Sequence, residues 1–127
     1  MTEKDALDKL IIDEEENPDI SMLAEIISGK ILLIKTGELN FEKEFFKLRD
    51  SQKILIYLLG RKAIVIKKLK EGFSEKITSK EIAESIGIPY KSVSKYLSVD
   101  LKHIIKSENG KYFVPNYNLY KCREKLR

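Results

Sequence analysis

The stretch ITSKEIAESIGIPYKSVSKYL, residues 77–97, does more than any other to limit what this chain can fold into. Thr78-Ser79-Lys80-Glu81 has the form of a capping box. The threonine hydroxyl accepts from the Glu81 amide while the Glu81 carboxylate reaches back to the Thr78 amide, so a helix starts after Thr78. Ile82, Ala83 and Ile86 form its inner face, and the small Ala83 lets a second helix cross closely. Gly87 stops that helix, because glycine takes a left-handed conformation without steric cost. Ile88 then plugs the corner, and Pro89 suits the first position of the next helix. This second helix carries Val93, Tyr96 and Leu97 on one side. With Val93 at zero and about 100° per residue, Lys91 falls near 160°, Lys95 near 200°, Ser98 near 140° and Lys102 near 180°. They line the opposite face, and residues 85–99 contain no Asp or Glu to neutralise it.

The spacing of Ile82, Ala83, Ile86, Gly87, Ile88, Val93 and Leu97 resembles the helix-turn-helix pattern of DNA-binding regulators, whose second helix docks in the major groove. IIKSENGKYFV follows, two apolar-rich runs around Asn109-Gly110, the dipeptide favoured in type I′ hairpins. A hairpin directly behind a recognition helix is similar to the wing of the winged helix-turn-helix family. The resemblance reaches from about residue 50 to 115, with a helix from Ser51 as the first of a three-helix core. Three departures stand out: a serine-rich rather than arginine-rich recognition helix, Asp100 near its end, and residues 1–49 without resemblance.

The family resemblance implies that the start of the recognition helix reads bases or grips phosphate. That role falls on Tyr90, Lys91, Ser92, Ser94 and Lys95, with Ser98 and Lys102 further along the same face. Lys91 and Lys95 can meet guanine edges or phosphates, serines discriminate less, and Tyr90 can pack on sugar or a thymine methyl. Ser79 and Lys80 would hold phosphate at the N-terminus of the preceding helix. Lys106 and Lys111 flank the hairpin tip, where a wing touches backbone or minor groove, although both can equally serve to protect an edge strand. Double-stranded DNA is the implied partner. Winged helices also act as protein-interaction modules and RNA binders, which keeps a second reading open: a module within a transcription, replication or chromatin assembly.

Charge is distributed unevenly along the 127 residues. Residues 1–50 hold 7 Lys/Arg against 13 Asp/Glu, whereas residues 51–127 hold 17 against 7, so a basic C-terminal part follows an acidic N-terminal one. A surplus of ten positive charges attracts polyanions and speeds their encounter. The acidic part reads as an element for dimerisation or contact with a protein partner, and the division is drawn at residues 1–49 and 50–127.

Elsewhere the apolar spacing predicts a helix over 3–12 through Ala6, Leu7, Leu10 and Ile11, then a linker at DEEENPD. Asp19 caps a short helix with Ile20, Leu23, Ile26 and Ile27 on one face, ended by Gly29. KILLIKTGELNF, with a turn at Gly37, reads as a strand or hairpin rather than a helix, and Asn40 as the cap of a short helix with Phe41, Phe45 and Leu48 on one side. Between Ile54 and Ile66 nearly every side is apolar, which predicts one long buried helix capped by Asp50 or Ser51 and loosened at Gly60, with a strand at AIVI as the alternative. A short C-terminal helix with Leu119, Tyr120, Cys122, Arg123 and Leu126 either packs on its own core or, with the apolar faces of 3–12 and 20–27, builds a homodimer. The expected class is α+β, mainly helical: a winged helix-turn-helix plus a small N-terminal helical and strand element.

The chemistry of catalysis finds no foothold. Asp13–Glu16 are consecutive and do not converge on one point, His103 has no partners at ligand spacing, and Cys122 is alone. No glycine-rich phosphate loop, Ser-His-Asp set or nucleotide fingerprint is present, so no enzyme, metal or cofactor is expected. The acidic start, the lone cysteine and the lack of an apolar run of about 18 residues predict a cytoplasmic protein with no membrane partner. Abundant Lys, Glu and Ile, a single glutamine and no tryptophan resemble the balance of many heat-adapted intracellular proteins.

Overall fold

One helix, α3 (Asp50–Ile66), organises the computed structural model, which describes residues 6–12 and 17–127. Its residues from Ile54 to Gly60 are all buried, as a helix apolar on every side must be. Arg49 rather than Asp50 or Ser51 occupies the cap position, and the Arg49 amide donates to Gln52 Oε1 at 3.0 Å. The AIVI segment is helical to its end, with the Lys67 amide donating to the Ala63 carbonyl at 3.0 Å. Gly60 does not loosen α3. A Cβ there would lie 2.5 Å from Ile31 Cδ1 and 2.9 Å from Leu39 Cδ1, so the glycine is the point where a neighbouring hairpin presses onto the helix.

That hairpin comes from the N-terminal part. Asp19 caps α1 (Ile20–Ile27) by accepting from the Met22 amide at 2.9 Å, and Leu23, Ile26 and Ile27 are buried. Strands β1 (Ile31–Leu33) and β2 (Leu39–Phe41) then pair antiparallel, Ile31 opposite Phe41. Asn40 caps nothing, because it lies within β2 opposite Leu32; the single-turn helix α2 (Lys43–Phe46) begins after Glu42 instead. Its Phe45 is buried and stacks on Phe41 with ring centroids 4.4 Å apart. The helix expected over 3–12 is reduced to a 3₁₀ turn, Ala6–Leu10, without a buried residue. Residues 3–5 of that expectation and Asp13–Glu16 of the expected linker lie outside the described residues.

Beyond α3 come α4 (Ser79–Ile86), α5 (Tyr90–Lys95) and a π-helical turn over Tyr96–Asp100. Strands β3 (Lys106–Glu108) and β4 (Lys111–Phe113) form the second hairpin, and Ile77 bridges to Tyr112 through bonds of 3.1 and 2.7 Å. The entry to α4 is thereby tied to the hairpin that follows α5. Helix α6 (Leu119–Lys125) packs on the chain's own core and on α1, burying Leu119 and Cys122, and its Lys125 carbonyl accepts from Gln52 Nε2 at 3.1 Å. A continuous apolar cluster runs from Leu23 to Cys122, and the boundary between residues 49 and 50 falls between α2 and α3 without interrupting it. The described residues are thus α+β and mainly helical, with two separate two-stranded hairpins. Among them no helix is long and apolar enough to cross a membrane.

Candidate nucleic-acid interface

The corner between α4 and α5 is built from local chemistry. Thr78 Oγ1 accepts from the Glu81 amide at 3.2 Å and donates to Glu81 Oε1 at 2.9 Å, so the carboxylate closes on the hydroxyl rather than on the Thr78 amide. This leaves a negative group in the first turn of α4, beside Ser79 and Lys80. Gly87 adopts φ 71°, ψ 28°, its amide donating to the Ala83 carbonyl at 3.0 Å. Ile88 is buried in the corner. Pro89 stands one residue earlier than expected: at φ −55°, ψ 139° it precedes the helix, and its carbonyl accepts from Val93. Ile82 and Ala83 meet Val93 and Leu97 in the core, which turns the other side of α5 outward.

Lys91 and Lys95 lie on that outward side, both exposed. Neither they nor Lys102 form an ion pair among the described residues. The even stripe expected down to Lys102 does not survive. The Leu101 amide bonds to the Tyr96 carbonyl five residues back, at 2.8 Å, and such a turn breaks the projection at 100° per residue. Ser98 sits inside this turn, its hydroxyl donating to the Ser94 carbonyl at 2.8 Å, so its proton is used within the helix. Lys102 follows in the succeeding turn, exposed but at a different pitch from Lys91 and Lys95.

Tyr90 joins the two helices. The side chains of Ser79 and Ser94 draw its phenol below the ordinary 10.0, with the Lys80 charge acting in the same direction. Ser79, Lys80, Tyr90 and Ser94 therefore form one patch, and Thr78, Ser79, Lys80 and Tyr90 line a shallow open depression on it. Ser92 is half-buried.

In the second hairpin Asn109 and Gly110 take φ 52° and 75°, both positive as a type I′ turn requires. The register pairs Glu108 with Lys111 and Lys106 with Phe113. Lys111 therefore flanks the tip with Glu108 opposite, while Lys106 stands at the hairpin's base, a correction that only the register supplies. Lys76 binds Glu108, and that hydrogen bond and charge draw the carboxylate below its usual range.

Sequence reasoning missed a polar group in the core. Lys62 is only 2% exposed, with Nζ 2.6 Å from Asn116 Oδ1 and 2.8 Å from Glu75 Oε2. Its neighbour Arg61 donates to the Ser74 and Glu75 carbonyls at 2.6 and 3.2 Å and lies 4.3 Å from the centroid of the Phe73 ring. The only sequence signal was two adjacent cations inside an apolar run. Both serve the fold, so part of the C-terminal positive surplus points inward. The outward cations near the α4–α5 corner are Lys80, Lys91, Lys95 and Lys102, with Lys111 on the hairpin. Comparison with protein-family models, curated proteins and solved structures gave no match to the chain.

Proposed function

We propose that this chain is a winged helix-turn-helix protein that binds duplex DNA, with α5 in the major groove and β3–β4 as its wing, acting as a transcription regulator. The observation that carries this reading is the pair Lys91 and Lys95: two exposed ammonium groups without carboxylate partners among the described residues, on the face of α5 opposite buried Val93 and Leu97. The Ile77–Tyr112 bridge supports it too, because it fixes the hairpin relative to the start of α4. Lys91 and Lys95 meet phosphates or guanine edges, Tyr90 packs on sugar or a thymine methyl, and Ser79 and Lys80 add backbone contacts. Lys102 and Lys111 extend the positive surface, and Lys106, at the hairpin base, takes a supporting place.

If about five cations meet phosphate, log K falls with log salt at a slope of about −4 to −5. The test is a salt-titrated binding assay on duplex and single-stranded probes, using the wild type and a Lys91→Glu/Lys95→Glu variant. Duplex binding that weakens with salt and is lost in the variant is expected; a flat salt dependence refutes the reading. The alternative, a protein-interaction module, is favoured by the exposed apolar side chains of the N-terminal part. Under it the charge reversal spares partner binding, and no duplex is shifted in a gel.

A further inference from the structure

A cavity of about 290 Å³ opens where α3, the segment before α4 and the base of the β3–β4 hairpin meet. Lys62 forms its floor. The side chain there is 3% exposed, against 39% and 43% for the Lys76–Glu108 pair, so the cavity runs from a surface ion pair inward to a buried ammonium. Lysine has three N–H donors, and Lys62 directs two of them at Asn116 Oδ1 and Glu75 Oε2. The third meets no acceptor among the described residues. Glu75 Oε2 is buried too and accepts no hydrogen bond from them beyond that ion pair, so the floor is polar and only partly matched from within.

The charged residues that line the cavity are Lys62, Lys76 and Lys106 against Glu75 and Glu108, which leaves one positive charge in excess. Both carboxylates are already bound, Glu75 to Lys62 and Glu108 to Lys76. The Lys106 charge reaches Glu108 as well, adding to the larger lowering by Lys76. A cationic ligand would have to compete with these lysines for both carboxylates, whereas an anion meets an ammonium proton that no described residue takes. Half-buried Phe113 and Tyr117 make part of the wall aromatic. An apolar cavity of about 150 Å³ holds benzene, so this larger one has space for such a ring together with a charged substituent.

We propose that this cavity binds a small monocarboxylate built on a single aromatic ring, the carboxylate accepting from Lys62 at the floor and the ring lying against Phe113 and Tyr117. Such a ligand touches α3 and the base of the hairpin at once, and so holds the hairpin to the core. The inference does not rest on DNA binding, since Lys106 alone among the residues of the proposed interface lines the cavity.

Two-dimensional amide NMR on the full chain tests it, with benzoate as the probe, benzamide as the same ring without the charge and acetate as the same charge without the ring. Benzoate should shift amides around Glu75, Lys76, Phe113 and Asn116 saturably. It should bind at least about tenfold more tightly than either control, because it alone combines a charge-assisted hydrogen bond with a buried ring. Shifts that never saturate, that gather on other residues, or that benzamide or acetate matches overturn the inference. Two variants locate the carboxylate. Lys62→Met/Glu75→Leu removes both floor charges and keeps the volume filled, while Asn116→Asp keeps a partner for Lys62 and cancels the excess charge. Each should weaken benzoate by about tenfold or more with the rest of the spectrum unchanged. A folded variant of either kind that binds benzoate as the wild type does refutes the role of Lys62, and the three wild-type titrations decide the matter if neither variant folds.

Discussion

Replacing Gly60 by alanine sets two effects of opposite sign against each other, and the structure decides between them. Alanine in a helix interior is preferred over glycine by about 1 kcal/mol, which an open site on α3 would gain in full. At Gly60 the new Cβ would sit 2.5 Å from Ile31 Cδ1 and 2.9 and 3.1 Å from the two methyls of Leu39. Carbon atoms are comfortable at about 3.5–4.0 Å, so both side chains must withdraw by up to about 1 Å. Ile31 is 3% exposed and paired opposite Phe41, which leaves it little room to turn; the hairpin itself has to shift. Overpacking of this kind costs about 1–3 kcal/mol, so the clash wins and the variant loses about 1 kcal/mol net. For a chain of this size that lowers the melting temperature by about 3–5 °C. Urea denaturation followed by circular dichroism measures it, and a cycle with Ile31→Val identifies the cause. Ile31→Val alone costs about 1 kcal/mol, but in the alanine background it also removes the closest clashing methyl. The double variant should then be at least about 0.5 kcal/mol more stable than the sum of the two losses. A stabilised Gly60→Ala protein, or strict additivity in the cycle, would refute the account of this glycine.

Further outcomes follow from the buried polar groups and the corner patch. Glu75→Ala leaves the Lys62 ammonium in the core with Asn116 alone and should cost about 3 kcal/mol in urea melts, whereas Lys62→Met/Glu75→Leu should lie much closer to the wild type. Burial pushes the Cys122 thiol up to about 12, against the lowering effect of nearby Lys62, so the thiol should resist alkylation until the protein unfolds. Because the folded value lies above the unfolded one, this contribution to stability is complete below pH about 9 and is lost as pH rises toward about 12, which denaturation across that window will show. Absorbance titration should find the Tyr90 phenol ionising below 10.0, and Ser79→Ala should move it back upward; no movement would break the proposed link between α4 and α5.

Much of the candidate interface was legible because its signals are local. The Asp19 cap, the left-handed Gly87 and the positive φ angles of Asn109-Gly110 each depend on sterics and hydrogen bonds within a few residues. What failed were inferences that carried one local rule too far. The wheel through Lys102 assumed an unbroken α-helix, and the π turn at Tyr96–Asp100 interrupts it. Placing Lys106 at the hairpin tip needed a register, which here puts Glu108 opposite Lys111. The Asn40 cap gave way to strand pairing with Leu32, a longer-range interaction that overrode a capping preference.

From the sequence alone came the order of the elements, the glycine corner, the type I′ turn and the uncompensated lysines at the start of α5, because each is written in neighbours along the chain. Tertiary structure alone decided that Gly60 marks a close approach rather than a weak turn, and that Lys62 looks inward to Glu75 and Asn116, the latter 54 residues away. It also decided that Ile77 ties the start of α4 to the hairpin through Tyr112. Such contacts are selected by which surfaces pack together once the chain collapses, and a linear string of residues does not say which surface will be offered.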